Sequence, residues 1–292
     1  MKSCCQLRPD PTITAIAKYD YGWSQNLAIY VAIFIKGSKE SELSRTICVK
    51  TRYYRARPVN NPGHEQEIFE LPLEKTALVA MHCWNIGCPD GPAENTSFCV
   101  GMGWPQATRE AGRIMAETIR PVMDAARRTS MAVCHVESDW MDNQYPDVES
   151  HRQPPNPLHP HHQAMEDRAH GPKYLQESPL ANMRRAKIVS PLGNEPMVFY
   201  GNQLNAYLQK QKIETLFYCG FAADMCLLGA PGGARDMLSR GYRCILLRDA
   251  TVGIETPQSF PERMNTRYAI HLFEWKIGFS IKSDQLIQRL GN

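Results

Sequence analysis

The residue in this chain best placed to do chemistry is Cys226. It closes the stretch Glu214–Cys226 (ETLFYCGFAADMC), in which strand-forming residues run into Gly220, a short turn follows and a helical pattern begins. A thiol at a strand-to-helix turn meets free backbone N–H groups and the positive end of a helix dipole, and both favour thiolate over thiol. The same N–H groups can hold an oxyanion. The competing role is a small apolar core residue, because unpaired cysteine is among the most buried residue types.

His82 is the matching base. It follows the apolar run Thr76–Met81, and imidazole titrates near neutrality and activates thiols in Cys–His dyads. Trp84 and Asn85 come next. The indole offers apolar area and one N–H to a pocket or to a core, and the amide is a common turn residue. Glu137 and Asp139 end a second apolar run, where they either position His82, bind a polar substrate group or face water. The histidines 151, 159, 161, 162 and 170 lie in a Pro-rich stretch without the i, i+4 spacing of helical metal ligands, so a solvated loop or lid is expected there and no metal site.

These side chains need a scaffold, and the hydrophobic pattern supplies one. Thr76–His82, Met131–Val136, Thr215–Cys219 and Arg243–Leu247 are near-continuous apolar runs, with Lys276–Ile281 as a last strand. Between them, Pro105–Arg128 repeats Ala111, Ile114, Met115, Ile119, Val122, Met123 and Ala126 on one helical face, and residues 202–211, 226–240 and 261–275 also read as helices. Strand–helix alternation with apolar strands predicts a three-layer α/β/α sandwich around a mainly parallel sheet. Ligands bind such sheets at the carboxyl ends of the strands, which sets His82, Glu137, the 220–226 turn and Asp249 along one rim. Asp249 is expected to anchor a turn. Residues 1–65 differ from the rest: paired cysteines, the isolated apolar run Leu27–Ile35 and the basic, Tyr-rich Lys50–Arg57 read as an N-terminal extension, partly irregular. Residues 66–292 read as the α/β domain, with a Pro/His-rich insertion at about 141–185.

Composition narrows the function classes. A net charge of +3 with scattered Arg and Lys gives no basic footprint for nucleic acid or a membrane surface. The nine-residue run at 27–35 falls far short of the roughly 20 residues that span a bilayer. Ten cysteines without regular spacing or a CxxC pair point to reduced thiols and a cytoplasmic protein. Gly232-Gly233 belongs to no phosphate-loop pattern.

Taken in order, four segments resemble the isochorismatase-like cysteine hydrolases, a superfamily that includes nicotinamidases, N-carbamoylsarcosine amidases and isochorismatases. They are Ala77–Asn85 (ALVAMHCWN), Phe199–Leu204 (FYGNQL), Gly220–Cys226 (GFAADMC) and Gly241–Ala250 (GYRCILLRDA), within a match over roughly residues 74–285. The resemblance implies Cys226 as nucleophile, a cis peptide between Phe221 and Ala222, and an oxyanion hole from the N–H groups of Ala222 and Cys226. It also implies a homo-oligomer and no cofactor. The family's base, an Asp, aligns with His82, and its Lys falls in Leu192–Glu195, where no lysine stands. Lys187, Arg184 and Arg185 are the alternative cations. The segment after Cys226 runs about three residues longer than the family pattern.

The expected function is therefore hydrolysis of a small amide or related C–N bond through a Cys226 thioester, with His82 as base. Trp84, Asn85, Glu137, Phe199 and Phe221 would hold the small-molecule substrate. The alternative, supported by the missing Asp and Lys, is a catalytically weakened member that binds a small molecule or a protein.

Overall fold

The computed structural model describes residues 45–98, 101–139, 141, 145 and 159–291. The expected extension up to residue 44, the central part of the insertion and His151 lie outside the described residues.

Eight strands form one sheet in the order β2-β1-β8-β7-β6-β3-β4-β5. They are β1 (Thr46–Arg55), β2 (Gly63–Pro72), β3 (Thr76–Met81), β4 (Ala132–Val136), β5 (Met197–Val198), β6 (Thr215–Gly220), β7 (Arg243–Leu247) and β8 (Phe279–Ile281). From β8 to β5 every pairing is parallel, and β1 and β2 add an antiparallel hairpin at the β8 edge. Alternation along the strands shows why both faces are covered. Leu78, Phe217, Ile245 and Leu247 enter one core, under α1 (Pro105–Ile114), α2 (Arg120–Arg127) and α9 (Ser283–Gly291). Val79, Leu216, Tyr218 and Leu246 enter the other, under α5 (Gly201–Lys210), α7 (Ala234–Ser239) and α8 (Met264–Lys276). The result is the expected α/β/α sandwich.

Three departures have local causes. The segment at 105–128 is two helices joined by a π turn at Met115–Ile119, just ahead of Pro121. A proline lacks an N–H and crowds the carbonyl four residues back, so the chain takes an i→i−5 bond from Arg120 to Met115 before it. The helix expected over 226–240 is broken into α6 (Cys226–Gly229) and α7, because Pro231 forces the preceding Ala230 into an extended conformation (ψ 164°). The boundary drawn at residue 65 cuts through β2: Lys50–Arg57 belongs largely to β1, and Pro58 begins the hairpin turn with a cis Arg57–Pro58 bond. The hairpin escaped the sequence reading because β2 (GHEQEIFELP) carries the charges of an exposed edge strand, not an apolar run.

The insertion contributes α3 (Pro160–His170) and a short α4 (Tyr174–Glu177). Among the described residues no helix is long and apolar enough to cross a membrane.

Candidate active site

Gly220 ends β6 against the end of β3, where the Phe221 N–H donates to the Met81 carbonyl at 2.9 Å. A side chain at 220 would put its Cβ 1.9 Å from that same carbonyl oxygen, and φ is +105°, so only glycine fits. The Phe221–Ala222 peptide is cis. The turn is tied to the neighbouring loop by Ala223 N–H to the Val252 carbonyl, 2.9 Å, and by Ile254 N–H to Asp224 Oδ1, 2.8 Å. Cys226 then opens α6, half-buried, beside the exposed Met225.

The backbone groups of Ala222 and of Cys226 itself both act to lower the thiol pKa. These are the two residues expected to form an oxyanion hole. The thiol pKa is nevertheless raised: burial dominates, the Ala222 N–H lowers it, Asp224 raises it and the Cys226 N–H lowers it. The sequence led us to expect a depressed value from the helix N-terminus. With only four residues in α6 the macrodipole is too small to offset desolvation.

His82 sits at the end of β3 with a left-handed backbone (φ 43°) and is buried. Its Nε2 lies 3.5 Å from Ser138 Oγ, and Nδ1 is buried without a hydrogen-bond partner. The ring stacks on Trp84, with centroids 5.0 Å apart and planes 15° apart. Burial first, and then the Arg185 charge, push its pKa down to about 3. The imidazole is neutral at physiological pH. Among the described residues no hydrogen bond joins His82 to Cys226: Nε2 is directed at Ser138 and Nδ1 has no partner there.

Behind His82 lies a buried ionic cluster. Arg185 pairs with Glu137 at 2.5 Å, both side chains at most 1 % exposed. The same guanidinium donates to the carbonyls of Val189 (3.0 Å) and Ala80 (3.3 Å), and Glu137 also accepts from Trp84 Nε1 at 2.8 Å. Glu137 therefore holds Trp84 and Arg185, not His82 and not an open pocket. Of the three cations that could have filled the lysine position, Arg185 is the one drawn inside, and its charge is used on Glu137. The aligned stretch itself carries Glu195, whose carboxylate takes Arg127 Nε at 2.7 Å and His135 Nε2 at 2.8 Å and is held at a pKa of about 2. Against the raising effect of burial, Arg127 and then His135 lower it.

The other expected substrate contacts divide. Phe221, Trp84 and His82 line a cavity of about 10 Å³, too small for a substrate. Asn85 is a buried clip: it donates to the Asp90 carbonyl at 2.9 Å and accepts the Arg184 N–H at 2.8 Å. Phe199 packs with Ile86, Leu180 and Met183 in a separate apolar cluster. Asp249 accepts from the Ser283 N–H and hydroxyl at 2.9 and 2.8 Å, holding the start of α9, as a turn anchor should.

The room for a ligand lies on the other side of the turn. A cavity of about 490 Å³ is bounded by Met225 and Ile254 on the side of the 220–226 turn and by Glu166, Asp167, His170 and Tyr174 of the insertion. Gly101 lines both this cavity and the small one at His82. The sequence reading missed this wall, because α3 has no apolar periodicity to mark it. Among the described residues no group of His, Cys, Asp and Glu is arranged to hold a metal ion.

The isochorismatase domain model matches residues 95–269, more than half of the chain. The chain belongs to the isochorismatase family. Solved structures similar to this family member include a cysteine hydrolase from Pseudomonas syringae pv. phaseolicola, 16 % identical, covering 76 % of this chain and 94 % of that one with a TM-score of 0.48. An isochorismatase-like hydrolase from Alkaliphilus metalliredigens is 16 % identical over 73 % of this chain and 97 % of that one, TM-score 0.46. The nicotinamidase PncA from Bacillus subtilis is 20 % identical over 71 % and 99 %, TM-score 0.44. No curated protein matches the chain. Membership places it in a family of hydrolases.

Proposed function

We propose that this protein is a cysteine hydrolase that cleaves a small amide or related C–N bond, with Cys226 as nucleophile. The observation that carries the reading is the position of Cys226 at the first residue of α6, directly after the tight Gly220–Met225 turn and next to Met225, which lines a cavity of about 490 Å³. In the reaction the sulfur bonds to the carbonyl carbon, the carbonyl oxygen becomes an oxyanion held by the Ala222 and Cys226 N–H groups, and the C–N bond breaks. The thiol proton is lost to water when the thiolate forms, and the departing nitrogen takes a proton from water. Water then attacks the thioester, which releases the acid and restores the thiol. With the thiol raised and His82 neutral and turned to Ser138, the reaction runs on a small thiolate fraction and accelerates in alkali. The activity belongs to the reduced thiol, consistent with a cytoplasmic setting, and requires no cofactor.

The second reading is a ligand-binding member that has lost catalysis. It is favoured by the Arg185–Glu137–Trp84 cluster, which spends the rim's buried cation and carboxylate on each other. Ammonia release from a panel of small primary amides separates the two. The hydrolase reading predicts release that disappears in Cys226→Ser. Binding of amides without release, equal in wild type and variant, supports the second.

A further inference from the structure

The cavity bounded by Met225, the residue before Cys226, has walls that select by charge. On the insertion side it is lined by the carboxylates of Glu166 and Asp167, and no Lys or Arg is among its described lining residues. Asp224, two residues before Cys226, lies outside that lining and accepts the Ile254 N–H at 2.8 Å, with its charge close enough to the thiol to raise the thiol pKa. The rest of the wall is in part polar and in part apolar or aromatic: Gln163, whose amide donates to Asp167 at 2.9 Å, and Gln176 stand beside Met225, Leu175, Ile254 and the rings of His170 and Tyr174, stacked with centroids 4.7 Å apart. α3 buries none of its residues in the protein core, yet Glu166, Asp167 and His170 all reach this one cavity. A helix with no core face is positioned here by what it covers.

An anionic substrate would meet like charge at the mouth and no guanidinium or ammonium to receive it. A flat, apolar body with a positive end would place its ring against His170 and Tyr174 and its charge near Glu166 and Asp167. Resting on the hydrolase reading above, we infer that the substrate class is a small cationic amide: an aryl or apolar body bearing an ammonium or similar group, with the scissile carbonyl at Cys226. The 490 Å³ of space suits one aromatic ring with two substituents. His162 and His170 both lie against Glu166, at 3.5 and 3.7 Å.

Three probes differ only in the charge of one ring substituent: 4-(aminomethyl)benzamide, 4-methylbenzamide and 4-carbamoylbenzoate. Their binding to the full-length Cys226→Ser protein is measured by calorimetry at pH 8.5, and ammonia release is measured with wild type. The cation should bind about three- to tenfold more tightly than the neutral amide, the span that one or two part-exposed ion pairs provide, and the anion more weakly still. In Glu166→Gln/Asp167→Asn, two exposed or half-exposed changes on α3, the cation's advantage should fall below about twofold. Equal binding of all three, preference for the anion, an advantage that survives the double change, or no binding of the cation at millimolar concentration overturns the inference. If the charge order holds and no probe loses ammonia, the ligand class stands and the hydrolase reading fails. If all three release ammonia at equal kcat/KM and bind equally, the hydrolase reading stands and the charge selection fails.

Discussion

The Arg185 guanidinium lies 2.5 Å from the Glu137 carboxylate in the interior of the sheet's carboxyl edge, and neither side chain reaches solvent. Glu137 ends β4, while Arg185 arrives from the insertion, so the pair fastens a segment 48 residues away onto the rim of the sheet. Burial pushes the Glu137 pKa up and the Arg185 charge opposes it. Removing one partner leaves the other charged and unpaired in a dry site. Arg185→Met should cost about 3–5 kcal/mol in denaturant unfolding, and Arg185→Met/Glu137→Met should recover most of that loss. A double variant no more stable than the single would show that the pair is not the unit of stability.

The buried histidines make acid stability measurable. Burial, then Arg185, take both His82 and His135 from an ordinary 6.5 down to about 3, with Glu195 partly opposing the shift at His135. A lowered folded-state value means the unfolded chain binds the proton first. Stability is therefore full above pH 6.5 and falls as pH drops from 6.5 toward 3. Each histidine contributes a slope of about 1.4 kcal/mol per pH unit in that window. His82→Asn, which suits the positive φ at that position, should remove about one proton's worth of slope between pH 6 and 4 in unfolding free energies. An unchanged slope would mean that His82 titrates normally.

Alkylation of Cys226 should be slow at pH 7 and half-maximal above pH 9, because burial raises the thiol. His82→Asn should alter that profile by less than about twofold in rate, since the ring is directed at Ser138. Peptide mapping is needed, as six other free cysteines lie among the described residues. Cys83, Cys134, Cys219 and Cys244 are buried with thiols raised further still, and label more slowly. A low midpoint lost in His82→Asn would establish the Cys226–His82 dyad.

Gly220→Ala should not fold to the native state at normal yield. Its Cβ would stand 1.9 Å from the Met81 carbonyl oxygen at a φ of +105°, and no rotamer change relieves a clash with backbone. Gly241→Ala also takes on an unfavourable positive φ, but no atom lies within 4 Å of its Cβ, so its loss should be about 1 kcal/mol. Comparable soluble yields and thermal midpoints for the two would contradict the close approach of β6 to β3.

The fold was legible wherever strands were buried on both faces, because β3, β4, β6 and β7 then read as apolar runs. It was illegible in β1 and β2, whose exposed edge carries charge, and in β5, which is two residues long. At the site, sequence order picked out Cys226, His82 and the Phe221–Ala222 bond as neighbours on one rim. It could not show where the His82 ring points, since a left-handed backbone and a nearby Ser138 decide that. Nor could it choose among Arg184, Arg185 and Lys187. That choice depends on which side chain meets Glu137 across 48 residues of chain.

The most direct test of a Cys226 hydrolase is to look for its acyl intermediate. Wild-type protein is mixed with an amide that releases ammonia, quenched in acid within the first turnover, digested and mapped by mass spectrometry. The account predicts an added acyl mass on the peptide containing Cys226, more abundant as pH rises, and absent with Cys226→Ala, which also releases no ammonia. Ammonia release that persists in Cys226→Ala, or an acyl group on another residue, would contradict it.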